Sequence, residues 1–212
     1  RRPERWVGDQ AMWSRIWAEA LPPAPTRVLD LGTGTGHAAL LIARLGHDVV
    51  GLDASEGMLA IAERHAQAAR AGGQPAPTFV VGDAVAPDVP DESFDAVTSR
   101  YLAWTLRDPV AAMTRWRAAL RPGGVLALVD STWFTDGLDE SPPEFVESYG
   151  QVLDDLPLAR ATSIEPTVEA VRAAGFRDVA VRALTEVLAA DERHGAAPGH
   201  RPRLQHLVTA RR

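Results

Sequence analysis

Three glycines at alternate positions, Gly32, Gly34 and Gly36, have the type and spacing expected of a ligand-binding turn. They follow a short apolar segment, residues 27–31, and precede a helix-like run that begins at His37. Glycine lets the backbone turn tightly and lets a ligand approach without obstruction by a Cβ atom. The spacing is G-x-G-x-G, whereas a dinucleotide fingerprint needs G-x-G-x-x-G. A pyrophosphate site is therefore disfavoured, while a different ligand and a turn without a ligand both stay open.

Two acids follow later apolar segments and could face the same ligand. Asp53 ends the second apolar segment, 17 residues beyond Gly36. An acid at that place can accept hydrogen bonds from both ribose hydroxyls of a nucleoside that lies across the strand ends. Asp83 follows the third segment, where its carboxylate could accept a hydrogen bond from an exocyclic adenine amine. The alternatives are an acid beside the helix cap Ser55 and a simple turn residue.

The segments that must position these residues alternate between short apolar runs and helix-length runs. Apolar runs bounded by turn residues predict strands, and apolar residues at helical spacing predict helices. The predicted strands cover residues 27–31, 48–53, 78–82, 94–99 and 125–130, and the helices between them cover 37–47, 55–71 and 109–120. Strands separated by helices form parallel βαβ units. The sequence therefore predicts an α/β fold with a doubly wound sheet.

The two ends of the chain are patterned differently. An amphipathic helix is predicted over residues 9–21, ahead of the first strand. The regular alternation stops after residue 131. Beyond it we predict helices over 143–155 and 166–175, strands over 179–187 and 205–211, and a polar loop over 189–203 between those strands.

Composition excludes several kinds of chemistry. The 212 residues carry a net charge of −6, and they include no Cys, no Lys and no Asn. A cysteine nucleophile, a Schiff-base lysine, a P-loop lysine and a thiolate zinc site are therefore impossible. The histidines show no metal-ligand spacing, the acidic balance disfavours nucleic acid, and no apolar run is long enough to span a membrane. We expect a cytoplasmic protein without a metal.

Five segments in register resemble the class I S-adenosylmethionine-dependent methyltransferases, in the bacterial branch that acts on small molecules. They are V-L-D-L-G-T-G-T-G (28–36), G-L-D-A-S-E-G-M-L (51–59), V-G-D-A (81–84), F-D-A-V (94–97) and L-R-P-G-G-V-L (120–126). The resemblance implies a Rossmann-like, mostly parallel seven-stranded sheet whose last strand is antiparallel. It also implies one domain over 1–212, with a cofactor-binding core over 24–130, an acceptor-side cap over 131–165 and a C-terminal helix and strand hairpin over 166–212.

The resemblance implies S-adenosyl-L-methionine as cofactor and S-adenosyl-L-homocysteine as product, and it assigns roles by position. The methionyl part is held by Asp30 and by the turn residues Gly32, Thr33, Gly34 and Gly36, with Arg100 at its end. The ribose is held by Asp53. The adenine is held by Ala54 and Met58 on its face and by Asp83 and Ala84 on its edge.

Methyl transfer from a sulfonium is an in-line displacement with a neutral thioether as leaving group, so the protein must mainly align the acceptor and exclude water. A hydroxyl or protonated amine acceptor also needs a base. The candidate bases are His37, Tyr101 and Asp130, which follow strand ends; His37 could instead merely begin a helix, and Asp130 could cap a loop. The predicted acceptor-binding residues are Trp13, Tyr101, Trp104, Trp133 and Phe134, for which packing in a small cap is the alternative.

Other functions remain possible on the same sheet. The chain could be a methyltransferase-fold protein with non-methyl chemistry or with a binding role. A nicotinamide-dependent oxidoreductase is disfavoured by the glycine spacing. We expect a small-molecule acceptor as the partner, no nucleic acid or membrane, and a monomer or homodimer. The chain begins with Arg1 and not with Met, so we expect that residues ahead of it have been trimmed.

Overall fold

Seven strands and six α-helices make up the described part of this computed structural model, which covers residues 3–134, 146–147, 150–195 and 201–212, with side chains from residue 9 onward. The strands are β1 (Arg27–Leu31), β2 (Asp48–Asp53), β3 (Thr78–Val81), β4 (Phe94–Arg100), β5 (Leu120–Ser131), β6 (Arg177–Ala183) and β7 (Gln205–Arg211). The helices are α1 (Pro3–Ala20), α2 (His37–Arg44), α3 (Glu56–Ala71), α4 (Pro109–Ala119), α5 (Glu165–Ala173) and α6 (Thr185–His194).

The strands form one mixed sheet in the order β3-β2-β1-β4-β5-β7-β6. Strands β1 to β5 pair in parallel, and β7 runs antiparallel to both of its neighbours, β5 and β6. This arrangement confirms the predicted doubly wound sheet with an antiparallel last strand. The strand order reverses between β1 and β4, and open α/β sheets bind ligands at such a reversal, beyond the carboxyl ends of the strands.

Alternating residues of the central strands bury both faces of the sheet. Val28 packs with Trp17 of α1 on one face, while the next residue, Leu29, packs with Trp116 of α4 on the other. All four side chains are fully buried. Burial of one large apolar side chain contributes roughly 1.5–3 kcal/mol to the stability of the fold. Helices packed on both faces therefore hold the sheet in place, and with it the strand ends that carry the site.

Helix α6 corrects one sequence expectation. Residues 179–187 were expected to form a single strand and 189–203 a loop, but β6 ends at Ala183 and residues 185–194 are helical. Leu184 and Val187, three positions apart, are both buried against the α1 face of the sheet. An Arg182–Glu186 ion pair of 2.7 Å, with the spacing of a helical i,i+4 pair, supports the first turn. The apolar residues of β6 and of the start of α6 follow each other directly in the sequence. Periodicity over such short runs does not distinguish a strand from a helix, so the sequence predicted one continuous strand.

The expected helix over 143–155 is also interrupted. Val146 and Glu147 are helical, and Gly150 donates its backbone N–H to the Val146 carbonyl at 2.8 Å, as in an α-helix. Residues 150–152 form a turn, however, and a short 3₁₀ helix follows at Leu153–Asp155. The rest of that prediction, residues 143–145 and 148–149, lies outside the described residues. Among the described helices, none is both long enough and apolar enough to cross a membrane.

Candidate active site

The glycine turn between β1 and α2 has the backbone conformation that its sequence predicts. Gly32, Gly34 and Gly36 all have positive φ, at 65°, 56° and 80°. A Cβ atom on Gly36 would lie 2.8 Å from the Phe79 ring, so close packing requires glycine there. A Cβ on Gly34 would meet nothing nearer than Met58 Cε at 3.9 Å. The turn is therefore packed against protein at Gly36 and open at Gly34.

Asp30 organises the turn from beneath. Its carboxylate is buried and accepts hydrogen bonds from the Thr33 and Thr98 hydroxyls, both at 2.7 Å. Parallel pairing of β1 with β4 places Thr98 directly beside Asp30. Burial raises the pKa of Asp30, although both hydroxyls and the charge of Arg100 oppose the shift. Asp30 thus holds the base of the turn through side-chain hydroxyls, and its role toward the methionyl part stays a prediction.

Asp53 closes the turn from the end of β2. One carboxylate oxygen accepts the Gly34 N–H at 2.8 Å and the other accepts the Ser55 N–H at 2.9 Å. Each oxygen still has a lone pair available, and the residue is half-buried. Ala54 and Met58 follow on an exposed surface, with Met58 42% exposed. A polar acceptor and an apolar patch therefore lie side by side, as a ribose with its adenine requires.

The loop after β3 lies beside the end of β2. The Gly82 N–H bonds to the Asp53 backbone carbonyl at 3.0 Å, which joins the two strand ends. The buried Trp116 indole donates to the Ala84 carbonyl at 2.7 Å and anchors the loop. The Asp83 carboxylate is exposed and accepts the Val85 N–H at 2.8 Å. Asp83 and Ala84 are thus held next to Asp53, and their adenine-binding roles stay a prediction.

A cavity of about 730 Å³ opens beside the glycine turn. Five of the predicted residues line it: Trp13, His37, Arg100, Tyr101 and Trp133. Thr35, within the turn itself, lines it too. The turn and the cavity are therefore contiguous. Ligand pockets are commonly of this size and are lined by aromatic side chains with a few polar groups.

Tyr101 and Trp133 form one wall of this cavity. Their rings meet edge-to-face with centroids 5.0 Å apart. The Tyr101 hydroxyl donates to Gln205 Oε1 at 2.5 Å, and burial raises the pKa of the phenol. Tyr101 has a φ of 65°, a backbone conformation that is uncommon for a residue other than glycine. At neutral pH the phenol is protonated, so it serves as wall and donor.

Asp130 lies behind that wall. Its buried carboxylate accepts hydrogen bonds from the Trp133 indole, from the Ser131 N–H at 2.8 Å and from the Trp104 N–H at 3.2 Å. Burial raises its pKa to about 6, against which these hydrogen bonds act. Asp130 is not among the cavity-lining residues described. Its contacts give it a positioning role toward Trp133, and its catalytic role stays a prediction.

Two predicted acceptor residues lie elsewhere. Trp104 and Phe134 pack edge-to-face with ring centroids 5.0 Å apart. They are buried in a small cluster with Leu153, Leu156 and Ala159. Neither is among the described residues that line the cavity. Their packing resembles the small cap that was the alternative to acceptor binding, so their role in binding stays a prediction.

Several cavity residues were missed by sequence reasoning. Gln10, His65, Asp191, Arg203 and Gln205 all line the cavity. Gln205, a buried polar residue at the start of an apolar strand, carried a detectable signal. The others belong to helices or loops whose neighbours in space are distant in sequence. No local pattern identifies such residues.

A methyltransferase is the class that this fold and site indicate, and comparison with known proteins agrees. Residues 29–128 match the family model described as a methyltransferase domain. A demethylmenaquinone methyltransferase of Beutenbergia cavernae is 34% identical over 165 residues, which are 76% of this chain and 62% of that protein. The chain spans about half to three fifths of the length of several curated relatives that it matches.

Solved structures share the fold over nearly the whole chain. The YcgJ protein of Bacillus subtilis has a TM-score of 0.64 at 21% identity and covers 95% of this chain and 98% of its own. The [4+2]-cyclase SpnF has a TM-score of 0.68 at 24% identity and covers 94% and 79%. Residues 29–128 are thus similar to a methyltransferase domain, and nearly the whole chain shares the fold of these solved structures.

Proposed function

We propose that this chain transfers the methyl group of S-adenosylmethionine to a small-molecule acceptor by in-line displacement. The observation that carries the proposal is the continuity of two sites. The glycine turn, whose Gly34 N–H is bound to Asp53, opens directly into the cavity through Thr35 and His37. A donor methyl and an acceptor atom can therefore meet without crossing solvent.

The residues present fit the cofactor. Gly34 leaves room for a ligand against the turn, Asp53 offers free lone pairs for ribose hydroxyls, and Met58 offers an exposed apolar surface for adenine. Asp30, Gly32, Thr33 and Gly36 shape the methionyl end, and Ala54, Asp83 and Ala84 border the adenine. When bound, S-adenosylmethionine supplies an electrophilic methyl group on a sulfonium.

The protein's own contribution is to align the acceptor and exclude water. Trp13, Tyr101 and Trp133 give the cavity apolar walls that hold an acceptor and displace solvent. His37 begins α2 beside the turn and lines the cavity, so it is the favoured base for an acceptor that must lose a proton. Tyr101 is unsuited to that role because burial raises the pKa of its phenol.

The experiment that tests this function uses S-adenosylmethionine with a deuterated methyl group. The chain is incubated with this donor and small-molecule extracts of bacteria, and products are identified by mass spectrometry. We expect a metabolite that gains one deuterated methyl group in the presence of the chain and not in the presence of the Asp53→Ala variant. Binding of the donor without transfer to any extract component would contradict the proposal.

Binding of the donor without methyl transfer would favour non-methyl chemistry or a binding role. SpnF, which has this fold, is named as a [4+2]-cyclase, so the fold accommodates such chemistry in a related architecture. A single domain over 1–212, a cytoplasmic location, a monomeric or homodimeric state and the absence of a nucleic-acid partner belong to the same proposal. The continuous sheet supports the single domain, and the acidic composition supports the absence of a nucleic-acid partner.

A further inference from the structure

The guanidinium of Arg100, at the end of β4, is held between two aromatic rings. Its central carbon lies 4.7 Å from the Trp13 ring centroid and 4.8 Å from the Tyr101 ring centroid. All three side chains line the cavity. Stacking on a ring face fixes a guanidinium while leaving the N–H groups at its edge available for hydrogen bonds.

Those N–H groups are not used by the part of the chain that the structure describes. No oxygen of a described residue accepts a hydrogen bond from Arg100 or forms an ion pair with it. The charge of Arg100 acts on the pKa of Asp30, but the Asp30 oxygens accept the Thr33 and Thr98 hydroxyls, and no hydrogen bond or ion pair joins them to Arg100. A half-buried cation without an anionic partner is unfavourable, so the site is suited to an anion from outside the chain.

The charge of the residues that line the cavity also favours an anionic ligand. Four arginines line it, namely Arg44, Arg100, Arg201 and Arg203, against two aspartates, Asp9 and Asp191. The described lining therefore has an excess of two positive charges, although the whole chain has a net charge of −6. A cavity of opposite sign to the protein around it attracts anionic ligands.

We propose that the acceptor is an aromatic carboxylic acid and that Arg100 binds its carboxylate. This inference rests on the proposed function and names the substrate class. A guanidinium fork matches a carboxylate in shape, and such pairs are frequently bidentate. The aromatic walls accommodate the ring of the acid. An amine acceptor fits less well, because Arg100 already occupies the ring faces of Trp13 and Tyr101 that would attract a cation.

A carboxylate at Arg100 could also come from the methionyl end of the cofactor, which is the role that the sequence resemblance implied. We assign the carboxylate to the acceptor because both stacking partners of Arg100, Trp13 and Tyr101, belong to the cavity wall. The ribose and adenine residues, Asp53 and Asp83, do not line that cavity.

The test compares acids with their matched amides by calorimetry on protein saturated with S-adenosylhomocysteine. The pairs are 4-hydroxybenzoate and 4-hydroxybenzamide, indole-3-carboxylate and its carboxamide, and 1-hydroxy-2-naphthoate and its amide. We expect at least one acid to bind about tenfold more tightly than its amide. In Arg100→Gln this preference should fall below about twofold, while affinity for S-adenosylhomocysteine stays within about twofold.

The matched control is Arg27→Gln. Arg27 also lies over an aromatic ring, 4.9 Å from the Phe94 centroid, but at the opposite end of the sheet. It should keep the acid preference. Arg100→Lys retains the charge without the planar fork and should keep part of the preference, and it replaces Arg100→Gln if that variant does not fold.

Three results would overturn the assignment of Arg100. The first is that no acid in the panel binds better than its amide, and the second is that Arg100→Gln retains the full preference. The third is that Arg100→Gln loses about tenfold in affinity for S-adenosylhomocysteine, which would place the methionyl carboxylate there. Failure of the wild-type chain to bind S-adenosylhomocysteine would contradict the proposed function instead, and the acid and amide comparison on the unliganded chain would still test Arg100.

Discussion

Asp53 and Asp130 are carboxylates at the carboxyl ends of two strands of one sheet, β2 and β5, and their surroundings give them different tasks. Asp53 is half-buried and keeps lone pairs free beside the glycine turn. Asp130 is almost fully buried, and three N–H donors point at it. Residue type and position at a strand end are the same, so burial and the number of donors decide which acid can reach a ligand.

Asp53→Ala should weaken binding of S-adenosylhomocysteine by about 10–100-fold, because hydrogen bonds to a charged acceptor contribute roughly 1.5–3 kcal/mol. Calorimetry measures this. The control is Asp48→Ala, which removes an acid from the opposite end of β2, where its carboxylate is 74% exposed and 3.7 Å from Arg27 Nε. Equal affinity of the wild type and Asp53→Ala would refute the role of Asp53.

The raised pKa of Asp130 predicts that the stability of the fold depends on pH. Its pKa in the folded chain is about 6, compared with an ordinary value of 3.8, so the folded state binds more protons than the unfolded state between these values. The free energy of unfolding therefore falls as pH rises through this range. Relative to Asp130→Asn, the wild type should lose about 2 kcal/mol between pH 4 and pH 7.

Chemical denaturation of both proteins at several pH values measures that difference. The buried Asp30 also has a raised pKa, but it is present in both proteins and its effect cancels in the comparison. A constant difference between the wild type and Asp130→Asn across this range would contradict the assignment of a raised pKa to Asp130.

At the scale of elements, the glycine turn joins β1 to α2, and its glycines serve two purposes. One allows close packing against the protein, and another leaves space for a ligand. Gly36 is pressed against Phe79 and Ala62 of neighbouring elements, whereas Gly34 faces open space. Both have positive φ, which costs an alanine about 1–2 kcal/mol. The turn is thus a rigid support on one side and a ligand surface on the other.

Gly36→Ala should lower the free energy of unfolding by about 3 kcal/mol, because the conformational cost adds to a clash with Phe79. Gly34→Ala should cost only about 1 kcal/mol, yet it should reduce the affinity for S-adenosylhomocysteine because its methyl group enters the ligand space. Urea denaturation and calorimetry test both. Equal stability losses in the two variants, or unimpaired binding by Gly34→Ala, would contradict this division.

Elements also show what the sequence could and could not predict. The turn, Asp30, Asp53 and the first five strands follow from local patterns, because each βαβ unit is continuous in sequence. The wall of Tyr101 and Gln205 joins residues 104 positions apart, through the pairing of β7 with β5. Helix α6 and the cavity residues Asp191 and Arg203 depend on such distant packing, for which short segments carry no signal.

At the scale of the whole molecule, an acidic chain encloses a cationic cavity next to a carboxylate-lined turn. The reversal of strand order between β1 and β4 creates the crevice, and antiparallel β7 brings Gln205 to its far wall. Helices α1 and α2 bury one face of the sheet and contribute Trp13 and His37 to the cavity. The proposed cofactor and acceptor sites therefore share one rigid frame, and ligand binding should stabilise the fold as a whole.

The most direct test of the central claim is calorimetric titration of the unmodified chain with S-adenosylhomocysteine, with NADH titrated in parallel. The G-x-G-x-G spacing and the acids at Asp53 and Asp83 predict one-site binding of S-adenosylhomocysteine and no heat from NADH. Binding of NADH, together with no binding of S-adenosylhomocysteine, would contradict the account and assign the chain to nicotinamide chemistry.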